Sequence, residues 1–189
     1  LIDADINGPG KAVGPYFKDT PLKDTLSTAL DELQLDGDVS ARLHLDIPLD
    51  GEMTTAKGDV VLNHNNLFIK PLNSTVKDLR GAFSFVNGNL KSEPLQAMWF
   101  NQPVNIDFTT TEGAKAYQVA VNLNGNWQPA KTGVMPQQVS DAVSGSMGWK
   151  GKVDIELPHS AGAKYNVSID GDLTGIASRL PPPLDKPAG

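Results

Sequence analysis

The chain has 189 residues, 39% hydrophobic and 6% aromatic, with 18 Gly and 14 Pro, a turn-rich all-β composition sized for one domain or one piece of a longer array. A net charge of −6 and a pI near 4.9 exclude nucleic acid as a partner. Without cysteine there is no disulfide or thiol chemistry, and no run of 18 apolar residues makes a membrane-spanning helix.

Leu1 to Asn7 alternates apolar and polar residues as a strand does, and Gly8-Pro9-Gly10 breaks it. Residues 11 to 18 carry at most two short turns, because Gly14-Pro15 interrupts them. Thr20 as a cap, Pro21 at the first helical position and a stripe of Leu22, Leu26, Ala29, Leu30 and Leu33 predict a helix over 21–33. From there the chain is strand after strand. Val39 to Ile47 puts Val39, Ala41, Leu43, Leu45 and Ile47 on one face, with Ser40, Arg42, His44 and Asp46 on the other. Lys57 to Asn63 and Leu67 to Pro71 read as two strands joined by a turn at His64-Asn65-Asn66, and Thr75 to Val86 as the next.

Gly81 to Phe108 is the most regular stretch. Phe83 and Phe85, then Leu95, Ala97 and Trp99, then Val104, Ile106 and Phe108 alternate with polar neighbours. The turns between them read as Val86-Asn87-Gly88-Asn89 and Asn101-Gln102-Pro103, with Asn-Gly the strongest hairpin signal. A strand at 117–123 adds Tyr117, Val119, Val121 and Leu123. A short second helix over 136–143 and strands near 147–157 and 164–173 complete the pattern: a mainly β chain, an antiparallel meander with one or two short helices.

Two internal matches divide the chain. Ala41 to Pro48 matches Gly151 to Pro158 position by position, and Ile2 to Gly8 matches Ile169 to Gly175. The chain divides into most of one β unit at 1–135, the opening of a second at 136–178 and a Pro-rich linker at 179–189. Because it starts at Leu1 rather than Met and closes on a Pro-rich run, it reads as a segment of a larger protein.

Chemistry is sparse. No catalytic motif occurs: GxSxG, the phosphate loop and HExxH are all missing. Asp36-Gly37-Asp38 and Asp170-Gly171-Asp172 resemble calcium loops, but no Glu follows at ligand spacing, and turn acids are the better reading. His44, His64 and His159 have no metal-ligand spacing. Asn73 and Asn166 fit the glycosylation pattern, relevant only in a eukaryotic secretory setting. Trp99, Trp127 and Trp149 are packing residues before they are sugar platforms. The reading is of a protein that is not an enzyme and has neither cofactor nor metal.

The one apolar face needs a cover. A second sheet would make a β-sandwich module, the helix at 21–33 would hide two strands' width, and a curled sheet would hold an apolar ligand. Periodicity does not choose among these.

Gly58-Asp-Val-Val-Leu, Leu79-Arg-Gly-Ala-Phe-Ser-Phe and Leu95-Gln-Ala-Met-Trp-Phe-Asn-Gln-Pro103 succeed one another in an order that resembles the AsmA-like lipid-transfer proteins of the Gram-negative envelope. Pro21-Leu22, Asp46-Ile-Pro-Leu49 and the Pro-rich close extend the likeness over essentially the whole chain. The resemblance implies an inner-membrane-anchored periplasmic protein whose β units stack into a long open groove. That groove would take phospholipid acyl chains and carry them from inner to outer membrane. Its expected lining is Leu43, Leu45, Ile47, Phe83, Phe85, Leu95, Ala97, Trp99, Val104, Ile106, Phe108, Val119 and Val121. Cutting such a sheet leaves unpaired edges near 1–7 and 164–173, through which a fragment would associate.

Overall fold

The computed structural model describes residues 1–12, 33–48, 54–159 and 162–187. In chain order the strands are β1 (Ile2–Pro9), β2 (Leu33–Asp36), β3 (Asp38–Asp46), β4 (Thr55–Ile69), β5 (Ser74–Val86), β6 (Asn89–Ser92) and β7 (Leu95–Trp99). They continue as β8 (Gln102–Glu112), β9 (Ala116–Trp127), β10 (Val143–Gly145), β11 (Met147–Pro158), β12 (Lys164–Gly171), β13 (Ile176–Arg179) and β14 (Asp185–Lys186). One α-turn, α1 (Gln137–Ser140), stands where the second helix is expected, shortened to four residues.

Eleven strands form one open antiparallel sheet, ordered β1-β3-β4-β5-β6-β8-β9-β11-β12. β6 and β7 share one position in it, since each pairs with both β5 and β8. Glu93-Pro94 separates them, and Pro94 has no N–H to give a ladder. Nine strands side by side make a sheet about 40 Å wide. β10, β13 and β14 form a separate small sheet.

The expected helix at 21–33 lies outside the described residues except for Leu33, which opens β2 instead, opposite Ile69. Two expected turns are corrected. His64-Asn65-Asn66 is not a turn between two strands: β4 runs through it, and a register shift on either side of Asn65 marks a bulge. His64 takes a φ of 60° there. Asn65 is fully buried because the bulge turns it under the β2–β3 corner, where its amide donates to the carbonyls of Asp36 (3.1 Å) and Asp38 (3.0 Å). Its Oδ1 accepts from the N–H of Asn63 at 2.8 Å. Gly37, at φ 96°, is needed at this corner: a Cβ would come within 2.8 Å of the Asn65 amide.

The second correction moves the turn at Asn101-Gln102-Pro103 back one residue. Phe100 (φ 48°) and Asn101 (φ 59°) form it, both left-handed as a two-residue hairpin of the primed type requires, and Gln102 already belongs to β8. A left-handed Phe is unfavourable on its own. Its ring stacks on Trp99 at 4.8 Å between centroids, a contact that offsets the strain.

Ala41 to Asp46 and Gly151 to Glu156 occupy like places, each in the second strand from an edge, while Ile47-Pro48 lie past β3 and Leu157-Pro158 stay within β11. Ala41 lies opposite Ile6 on one side and Val60 on the other, and Gly151 opposite Leu123 and Ile169. The Ile2 and Ile169 motifs, in contrast, stand on the two opposite edges of the sheet, β1 and β12.

Candidate apolar groove

Residues directly opposite one another in an antiparallel pair share a face, so the pairing register traces each face across the sheet. One row runs Ala4, Leu43, Gly58, Phe85, Leu90. Another runs Leu95, Ile106, Leu123, Gly151, Ile169, and beside it Phe108, Val121, Val153, Val167. Leu45 pairs with Ile2 and Ala56, Phe83 with Val60, Ala97 with Val104, Trp99 with Gln102, and Val119 with Thr110 and Ile155. Twelve of the thirteen residues expected on the apolar face therefore stand on it together. Ile47 does not belong to the row: β3 ends at Asp46, and Ile47 lies past the strand, 44% exposed.

The same face holds residues that alternation alone did not single out. Val76 and Leu79 are among the most buried, at 2% and 4% exposure. Their spacing of three breaks the period of two because a second irregularity, at Asp78 (φ 56°), shifts the register between Lys77 and Arg80. The Arg80 guanidinium beside Asp78 holds its carboxyl below the usual carboxylate range, with His64 adding to the effect.

The opposite face is polar. Arg42, His44, Asp46, Ser84, Asn105, Asp107 and Gln118 all lie on it, and several join cross-strand pairs: Asp3 with His44 (2.6 Å), Asp5 with Arg42 (3.3 Å), Asn122 with Asp107 (2.7 Å) and Asn105 with Asn124 (3.2 Å). Such exposed pairs contribute register more than stability. The three histidines sit far apart in role: His44 on this face, His64 at the bulge, and His159 beside Glu112 and the Gly113 carbonyl. Asp36-Gly37-Asp38 is the β2–β3 corner, and Asp172 caps the turn after β12 through the N–H and hydroxyl of Thr174.

Two observations give the apolar face its shape. Its central residues (Val76, Leu95 and Val104, each 2% exposed) are buried, yet neither core cluster among the described residues draws on the small sheet. Phe83 and Phe108 belong to strands two positions apart, about 9.6 Å of backbone spacing, but their ring centroids are 5.6 Å apart. Trp99 and Trp127 close a similar gap across β8 to 6.2 Å. Aromatic side chains on this face lean toward one another across an intervening strand.

One end of the strands is aromatic. Trp99, Phe100, Trp127 and Trp149 form a chain of ring contacts, the tightest being Trp127 with Trp149 at 4.5 Å. At the other end the Tyr117 hydroxyl donates to Thr110 Oγ1 or the Gly88 carbonyl, at 2.6 and 2.7 Å, and burial pushes its phenol up from its ordinary value.

An open antiparallel sheet, apolar on one face and polar on the other, defines a β-groove segment. A family model described as "YhdP protein" matches residues 1–189. The chain is 70% identical over all of its 189 residues to the protein named "Intermembrane phospholipid transporter YhdP" of Escherichia coli (strain K12). It spans 15% of that relative's length. No solved structure matches. The chain belongs to the YhdP family.

Proposed function

We propose that this segment is one span of a trough that shields phospholipid acyl chains in passage from the inner to the outer membrane of a Gram-negative bacterium. The trough is periplasmic, in a protein anchored to the inner membrane, and works by binding rather than by catalysis. The observation that carries this reading is the apolar face that continues across the large sheet from its β1 edge to its β12 edge. A relative named as an intermembrane phospholipid transporter supports the same ligand. Keeping about sixteen methylenes out of water is worth on the order of 13 kcal/mol as an upper bound, enough reason for a continuous lining. At about 40 Å of width across its strands, one segment matches roughly one bilayer and not two, so further units of the same kind extend it.

The test is photo-crosslinking from single positions of the intact protein in cells. A crosslinker at Ile106 should capture phospholipid and one at Asp107 should not, because adjacent strand residues face opposite sides. Equal capture at both sinks the trough. A β-sandwich module, the competing reading, would capture lipid at neither.

The edges supply a second test. β1 and β12 each pair on one side only among the described residues, and β12 leaves Tyr165, Val167 and Ile169 at 60, 58 and 70% exposure on the apolar face. Such an edge is a template for strand addition. The isolated segment should associate end to end as its concentration rises in sedimentation, and less so without residues 1–8. A segment that stays monomeric at millimolar concentration argues against a slice of a longer sheet.

A further inference from the structure

The large sheet is continuous in topology but built from two panels. β1 to β6 form the first, in register along their shared lengths except at the bulge that Asn65 pins. β7, β8, β9, β11 and β12 form the second, in register throughout. The chain crosses from one panel to the other at Glu93-Pro94. Among the described residues, two strand pairs join the panels: β5 with β7, and β6 with β8.

Both halves of this joint are irregular. Between β5 and β7, Lys77 stands opposite Met98 and Arg80 opposite Gln96, with a register shift between them. Between β6 and β8 the one registered pair is Lys91 opposite Thr109. Counting outward from it, Leu90 falls opposite Thr110, and Ser92 opposite Phe108. A regular ladder would give the N–H groups of Leu90 and Phe108 to the main-chain carbonyls opposite. Here Thr110 Oγ1 accepts from Leu90 and Ser92 Oγ from Phe108, each at 2.8 Å. Asn89 Oδ1 takes the Glu112 N–H at 2.7 Å in the same manner.

A main-chain oxygen is fixed in its strand, whereas a side-chain oxygen follows its donor by small turns about χ1. Strands stitched through Ser92, Thr110 and Asn89 therefore tilt against each other with these bonds still made. On the trough side the joint is filled by apolar contact. Val76 and Leu79 share a cluster with Leu95, Ala97 and Val104, and the Phe83 ring meets that of Phe108. Apolar burial is non-directional, so it keeps water out of the joint through a range of angles. At about 4.8 Å per strand the outer edge of each panel lies roughly 15–20 Å from the joint, and a turn of about 10° moves it by about 3 Å.

We propose that this joint is a hinge: the two panels turn about it, and the turning widens and narrows the trough as lipid moves from one panel to the other. The motion follows from the joint alone, while its purpose rests on the acyl-chain reading above.

The test uses the intact protein and reads motion and purpose separately. Hydrogen exchange, resolved to single residues and corrected for intrinsic rates, reads the motion. The amides of Leu90 and Phe108 should exchange about ten-fold faster than those of Asp107 and Thr109, which turn the other way into the β8–β9 ladder. Disulfide staples read the purpose, since this chain has no cysteine of its own. One staple crosses the joint at Lys91→Cys with Thr109→Cys, and another crosses its other half at Lys77→Cys with Met98→Cys. Two controls stay within a panel: Asp59→Cys with Ser84→Cys, and Asn124→Cys with Lys150→Cys. All eight positions stand on the polar face, away from the lining.

In cells that depend on the variant for delivery, each joint staple should abolish most arrival of pulse-labelled phospholipid at the outer membrane. Reduction should restore it, which separates stapling from misfolding, and the panel staples should leave arrival unchanged. Equal exchange at the two sets of amides overturns the hinge, as does arrival at the reduced rate with a joint staple closed. Panel staples that slow arrival as much also overturn it, since stiffness anywhere would then suffice. No arrival even with the unaltered protein overturns the acyl-chain reading, and the exchange comparison then decides the hinge by itself.

Discussion

Val104→Asp is expected to unfold this segment, whereas Val121→Asp is expected to leave it folded and stop lipid passage. Val104 is 2% exposed and part of the central cluster with Leu95 and Ala97. A carboxylate there is buried without a partner, at a cost on the order of 4 kcal/mol or more, a large share of a typical domain's stability. Val121 is only partly buried, between Phe108 and Val153 on the same face. Water reaches a charge at that position, so the loss in stability should stay within about 2 kcal/mol. The lining nevertheless acquires an anion across the path of the acyl chains. Denaturant titration of the two variants reads the first difference. Arrival of pulse-labelled phospholipid at the outer membrane, in cells with only the variant protein, reads the second. If Val121→Asp unfolds as readily as Val104→Asp, the face is a closed core and not a trough.

Asn65→Leu should be the most damaging substitution away from the apolar face. It leaves the carbonyls of Asp36 and Asp38 and the N–H of Asn63 without their partner under a fully buried side chain, each unpaired group costing up to about 1–3 kcal/mol where water does not reach it. Allowing for rescue by water at one of the three, the expected loss is about 3 to 5 kcal/mol in denaturant unfolding. The β2–β3 corner should then exchange its amide hydrogens faster than the β8–β9 pair does. Asn65→Asp keeps the acceptor for Asn63 but sets a buried carboxylate oxygen against the carbonyls of Asp36 and Asp38, and should recover none of the loss at neutral pH. A near-neutral Asn65→Leu would mean that the bulge is held by Gly37 and strand pairing alone.

The apolar face was legible in the sequence because a period of two is a direct image of strand geometry. Phe83, Phe85, Leu95, Ala97, Val104, Ile106 and Phe108 obey it without exception, and the register puts them together. What the sequence hid lies at the irregularities. His64-Asn65-Asn66 reads equally well as a turn or a bulge, since both favour short polar side chains; only the packing of Asn65 under a corner from a distant strand decides. Val76 and Leu79 escaped for the same reason, an inserted residue that changed their spacing. Phe100 in a left-handed turn was hidden by its own chemistry, because the stacking that stabilises it is tertiary. The leaning of rings across the strands was not readable from alternation at all. It became visible only through pairs such as Phe83 and Phe108, which meet across an intervening strand.

The rows that cross this sheet also set how rough the path is. An acyl chain lying along the proposed trough runs across the strands, and meets a ridge of side chains every 4.8 Å or so. Its own methylene repeat is far shorter and not a simple fraction of that spacing, so neighbouring methylenes never sit on ridge and furrow in step. The ridges themselves are uneven: Gly58 stands beside Phe85, Gly125 beside Trp149, Gly151 beside Leu123. Forces along the chain therefore largely cancel, as between two surfaces whose lattices do not match. On the proposed reading such a surface would hold a lipid out of water over its whole length and yet offer no single notch in which to stop, in the manner of a lubricated rail.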